Sequence, residues 1–158
     1  MKAESVVTIR KELNHRSHEE LMQLCLRLVR FKKENKELLT YLLFESHDET
    51  QFVEGIKVEL DQLFENINTD SYFYMKKSVR KILRLIKKFA RYSLKKETEV
   101  ELLLYFCGQL KALKPSIFRN KTLTNIYERQ IFSIQKLISS LHEDLQYDYN
   151  QQLELINS

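Results

Sequence analysis

Residues 97–115 read ETEVELLLYFCGQLKALKP, and the fold turns on this stretch. Its apolar residues, Val100, Leu102, Leu103, Phe106, Cys107, Leu110 and Leu113, spread around a helical wheel instead of collecting on one stripe. A helix that is apolar over most of its circumference belongs inside a protein or inside a membrane. Length argues against the membrane: the longest uninterrupted apolar run, Leu102 to Cys107, is far short of the roughly 20 residues a bilayer requires. Both ends of the stretch are marked. Glu97 and Glu99 complement the positive end of a helix dipole. Pro115 lacks the N–H that a continuing helix needs and pushes the preceding residue toward extended backbone. The stretch is expected to be a central buried helix with amphipathic helices laid around it.

Downstream, a helix is expected from near Asn120 to about Tyr147. Tyr127, Ile131, Ile134, Ile138, Leu141 and Leu145 recur along it at alternating spacings of four and three, a heptad seam. Such a seam serves either the inside of a monomeric bundle or a homodimer formed through these six residues. The tail 149–158 is glutamine-rich and is expected to be poorly ordered. Upstream, Val79, Ile82, Leu83, Ile86, Phe89 and Ala90 form the apolar face of a helix ending near Leu94, capped by Asp70 or Ser71. Asp48 and Gln51 have the spacing of a capping box and open a helix to about Ile67. Ser17 and Glu20 form a second box, followed by Leu21, Leu24, Cys25, Leu28 and Phe31 at helical spacing. A short helix is expected over residues 4–13.

Composition agrees with this reading. The 158 residues include two glycines and one proline, too few for the frequent turns of a sheet protein and for any glycine-built phosphate loop or nucleophile elbow. The expected fold is all-α: one domain over 1–158, with six or seven helices in a compact bundle or a short α-solenoid. The helix hairpins would pair over 17–46, 48–94 and 97–147.

The opening carries one further pattern. Leu13-Asn-His-Arg-Ser-His-Glu-Glu-Leu21 leads into Leu24-Cys-Leu-Arg-Leu-Val-Arg-Phe-Lys-Lys and then Lys36-Glu-Leu-Leu-Thr-Tyr-Leu-Leu43. It resembles the start of small all-helical bacterial proteins, of Bacteroidetes type, that form a family of unknown function. The resemblance implies a helical fold and a cytoplasmic bacterial setting. It implies no activity and no site residue.

Catalytic chemistry finds little footing. Cys25 and Cys107 lie in apolar runs, and both are expected to be buried thiols acting as small hydrophobes in a reducing cytoplasm. A di-metal carboxylate bundle needs two Glu-x-x-His units; this chain has one, Glu12-x-x-His15. His15 and His18 straddle the helix start at Ser17. Glu19, Glu20, Glu97, Glu99 and Glu101 are acids at or near helix N-termini. No catalytic residue, metal ligand or cofactor is assigned, and the chain is read as non-enzymatic. Its N-terminus has no long apolar segment of the kind a secretory signal carries.

One feature rises above this background. From Ser71 to Lys96 there are ten basic residues and no acid. Lys76, Lys77, Arg80, Lys81, Arg84, Lys87, Lys88, Arg91 and Lys95 fall within about 140° of the wheel, opposite the apolar face, along roughly 30 Å of helix. Lys77, Arg80, Lys81, Arg84, Lys87, Lys88 and Arg91 are the candidate polyanion-binding residues, with Lys77, Arg84, Lys88 and Arg91 forming one row. A nucleic-acid strand would find its phosphates matched there, and an anionic membrane surface is another candidate ligand. The opposing reading is a solvated face beside an acidic neighbour: residues 47–70 carry seven acids against one lysine, and a hairpin would bring Glu54, Asp61 and Glu65 alongside. The functional expectation is a binding or adaptor domain for a protein partner, with nucleic-acid or other polyanion binding through 76–96 as the alternative. The helix starts are testable directly. Ser17→Ala and Asp48→Ala are each expected to cost about 0.5–2 kcal/mol, read as a lowered denaturation midpoint; unchanged midpoints would contradict helix starts at these positions.

Overall fold

In the computed structural model of the chain, which describes all 158 residues, the stretch at 97–115 forms a helix, α6 (Lys96–Ala112), that buries Thr98, Val100, Leu102, Leu103, Leu104, Phe106, Cys107 and Leu110. The other helices are α1 (Val6–Asn14), α2 (His18–Phe31), α3 (Lys33–Thr40), α4 (Glu49–Glu65), α5 (Tyr72–Ser93), α7 (Lys121–Ile138) and α8 (Glu143–Asn157). A π-helical turn lies at Tyr41–Glu45 and a 3-10 turn at Ile117–Arg119. There is no strand. The fold is all-α as expected, with eight α-helices instead of six or seven. The chain divides into two compact units, Met1–Phe44 and Glu45–Ser158.

In the second unit α6 packs against α4, α5, α7 and α8, so the arrangement is four helices around a fifth rather than a stack of hairpins. Phe106 sits 5.9 Å, ring to ring, from Phe64 of α4. α4 and α5 meet where Phe52 presents its edge to Phe89 at 6.2 Å. Polar ties close the same corner. Glu49, at the start of α4, accepts from Ser93 Oγ, from Thr98 Oγ1 at 2.6 Å and pairs with Lys95 at 3.4 Å. Asp48 caps α4 by accepting from the Gln51 N–H at 3.0 Å, without a return bond from the Gln51 side chain. Ser71, not Asp70, caps α5.

The long final helix does not form. α7 stops at Ile138 and α8 starts afresh, with His142 as its N-cap and Glu143 and Asp144 in its first turn. Ser139 and Ser140 turn their hydroxyls back onto the Lys136 and Leu137 carbonyls at 2.7 Å. Heptad spacing across 127–145 is thus shared by two helices facing one core. Tyr127, Ile134 and Ile138 are buried, and Ile131, Leu141 and Leu145 pack against the core. The seam is used inside the unit. The tail is ordered too: 149–157 completes α8, with Tyr149 and Leu153 buried. Lys111 Nζ donates to the Ile156 carbonyl at 2.7 Å, and Tyr149 Oη donates to Glu101 at 3.1 Å. Burial and the Glu101 carboxylate push the Tyr149 hydroxyl pKa up.

The first unit is different in kind. Its α2 carries the expected capping box, with the Glu20 N–H donating to Ser17 Oγ at 3.2 Å and the Ser17 N–H donating to Glu20 at 2.9 Å. Extended backbone at Lys32 separates α2 from α3, and Asn35 Nδ2 donates back to the Leu28 carbonyl at 2.8 Å. Tyr41 is its one buried side chain; Leu24, Leu28, Phe31, Leu42 and Leu43 are all exposed. Cys25, expected to be buried, is exposed and lines an apolar cleft of about 210 Å³ with Leu28, Val29, Leu38, Leu39 and Leu42. α2 packs mainly on α3, and its apolar arc is wider than that neighbour covers, since Leu24, Leu28 and Phe31 stay exposed. Cys107 is buried as expected, and burial pushes its thiol up to about 12.

Two predictions follow from this packing. Leu94 ends α5 in the left-handed region at φ 59° with its side chain 83% exposed, a conformation that costs a branched residue about 1 kcal/mol and glycine almost nothing. Leu94→Gly is expected to raise the unfolding free energy by about that amount; a lower denaturation midpoint would contradict this. A thiol reagent applied at pH 8 to the folded protein is expected to modify Cys25 alone and to reach Cys107 only in denaturant. The folded state holds the Cys107 proton where the unfolded chain releases it. That contribution to stability is complete below the ordinary value of 9.0 and is lost as pH climbs toward 12.

Candidate polyanion-binding face

α5 turns Met75, Val79, Ile82, Ile86 and Ala90 into the core, at the spacing one helical face requires. The opposite face then has to point outward. On it Lys77, Arg80, Lys81, Arg84 and Arg91 are exposed, and Lys76, Lys87 and Lys88 are half-buried. Lys87 pairs with Glu99 at 2.9 Å, and the Lys88 ammonium lies 5.2 Å from the Phe89 ring centre. Lys77 also has a partner within the unit, the ring of Phe73, but it stays exposed where Lys87 and Lys88 are half-buried. The outward row is therefore Lys77, Arg80, Arg84 and Arg91, with Arg80 replacing Lys88. It runs about 21 Å at 1.5 Å per residue, with Lys81 along its edge.

Of the acidic segment 47–70, Glu49 pairs with Lys95 at the C-terminal end of the stripe at 3.4 Å, while Glu54 and Asp61 turn elsewhere. Glu54 accepts from Lys57 of its own helix at 2.7 Å. Asp61 accepts from Tyr105 Oη and from Gln109 Nε2 at 3.2 Å, both on α6. Glu65 is exposed. The reason is topological: α6 lies against α4, so the polar edge of α4 meets α6 and not the basic face of α5. No ion pair joins Lys77, Arg80, Lys81, Arg84 or Arg91 to an acid. Five uncompensated cations on a rigid helix form a row of charge-assisted donors, with the arginine forks suited to phosphate oxygens.

Phe73 belongs to the same face and escaped the sequence reading. It is 56% exposed, and the Lys77 ammonium stands 4.4 Å from its ring centre. It precedes Arg80 and Arg84 by seven and eleven residues, two and three helical turns, so a wheel that included the first turn of α5 would have found it.

Other polar clusters do structural work. Glu101 receives Lys57 at 3.7 Å and Tyr149 Oη. Lys57, Glu101, Tyr105, Gln109 and Gln152 line a cleft of about 520 Å³. These groups tie α4 and α8 to α6; burial and the bond to Asp61 push the Tyr105 pKa up. No three His, Cys, Asp or Glu side chains converge as metal ligands would: His15 ends α1, His18 starts α2 and His142 caps α8. No helix is long and apolar enough to cross a membrane. No protein-family model matches the chain, and no curated protein or solved structure is detectably similar to it.

Proposed function

We propose that this chain is a non-enzymatic binding protein whose working surface is the outward face of α5 and whose ligand is a polyanion with regularly spaced phosphates. The observation that carries the reading is the row Lys77, Arg80, Arg84 and Arg91, exposed along one helix with no acid paired to it. A solvated structural face has no need to keep its charges uncompensated, since each extra cation repels its neighbours. A phosphate backbone neutralises them and releases its own counterions, which makes binding favourable and salt-dependent. The resemblance of residues 13–43 to small helical bacterial proteins adds no activity to this reading.

A protein partner is the second reading, and a separate observation favours it. In the first unit Leu24, Leu28 and Phe31 lie along one side of α2, Phe31 at 82% exposure, which is the kind of apolar surface that protein interfaces cover. The two readings use different units and separate cleanly by mutation.

The test is replacement of Lys77, Arg80, Arg84 and Arg91 by Gln, a good helix former that removes charge without adding repulsion. The helical circular dichroism spectrum is expected to be unchanged. Affinity for heparin or an oligonucleotide at low salt is expected to fall about tenfold or more, with a shallower salt dependence. Leu28→Asp is expected to leave this binding untouched. Parent and quadruple variant binding alike would contradict the reading.

A further inference from the structure

We propose that the ligand of the α5 face is single-stranded nucleic acid, and that Phe73 is the platform on which one of its bases stacks. This rests on the polyanion reading and narrows it. Phe73 heads the cation row on the same line of the helix, one turn before Lys77. Tyr74, 48% exposed, stands beside it with the two rings edge to face at 5.4 Å. Exposed aromatic rings in solvent are costly to leave bare, and these two are not drawn into the core that buries Met75 on the same turn.

The surroundings extend the positive surface. Tyr72 Oη donates to the Ser116 carbonyl at 2.8 Å, which fixes the connection between α6 and α7 beside the start of α5. That connection carries exposed Lys114, Phe118 and Arg119, and no acid occurs from Leu102 to Tyr127. Asp70, in the turn before α5, is the nearest acid in sequence. Lys77 lies on the aromatic pair itself, and the connection tied to Tyr72 adds exposed cations and no acid to the unit.

A duplex hides its base faces and offers only phosphates to such a surface. A single strand offers both phosphates for the row and an open base face for the ring, the combination that single-strand binders use. Phe73 is more than half exposed, so a base can reach its ring, and the Lys77 ammonium 4.4 Å from the ring centre puts a cation beside any base that stacks there. A sulfated polysaccharide or an anionic membrane would use the cations without needing the ring as a stacking surface.

The experiment compares a short oligothymidylate, the matching duplex, heparin and phosphatidylserine vesicles, each binding the parent and two variants at low salt. Phe73→Ala is expected to weaken oligothymidylate binding about 5- to 150-fold, while heparin binding stays within twofold. Phe73→Trp introduces the only tryptophan in the chain. It is expected to restore oligothymidylate affinity, and its fluorescence is expected to be quenched by oligothymidylate and not by heparin. Unchanged oligothymidylate affinity in Phe73→Ala, with heparin and oligonucleotide both lost in the quadruple Gln variant, overturns the stacking proposal and leaves the polyanion reading standing. Equal or tighter binding to duplex or vesicles also overturns it. A parent that binds none of the four ligands overturns the polyanion reading itself.

Discussion

Everything in the second unit depends on one constraint: α6 is apolar over most of its circumference. Val100, Leu102, Leu103, Phe106, Cys107 and Leu110 point in several directions around its axis, and all are buried. Burial of each such side chain contributes about 1.5–3 kcal/mol, which is available only if neighbours surround the helix. α4, α5, α7 and α8 do so. The polar contacts at its margins, Glu49 to Thr98, Asp61 to Tyr105 and Glu101 to Tyr149, set where α4 and α8 lie along it.

That constraint generates the candidate functional face. Once Val79, Ile82 and Ile86 are committed to the core, the rest of α5 has one direction left, outward. Because α6 also occupies the polar edge of α4, Asp61 is tied to α6, and Glu54 pairs with Lys57 of its own helix. The exposed charge of α5 is a consequence of where α6 sits, and the row is held rigid by twenty-two residues of continuous helix. Phe73 and Tyr74 stay outside for the same reason: the core side of that turn is already taken by Met75.

The sequence carried the local part of this clearly. Helical class, the cap at Ser17 and the central role of 97–113 depend on composition, spacing and side chains within a few residues, and these were readable. Three features were not. The heptad spacing from Tyr127 to Leu145 continues through a chain reversal, because two helices facing one core can keep a common register; Ser139, Ser140 and the acids after His142 were the signal of a break. The partners of Asp61 depended on which helix lies against α4, which no local pattern states. Cys25 looked like a core residue because its neighbours are apolar, yet the first unit has too few elements to bury them.

The central claim is that the outward face of α5 exchanges its counterions for phosphates. The most direct measurement is the affinity of the unmodified protein for a single-stranded oligonucleotide over a range of salt concentrations. Five contacts, from Lys77, Arg80, Lys81, Arg84 and Arg91, at about −0.7 each give a slope of log affinity against log salt near −3.5. A slope of that size is the predicted result. A slope near zero, or no binding at the lowest salt, would contradict the account.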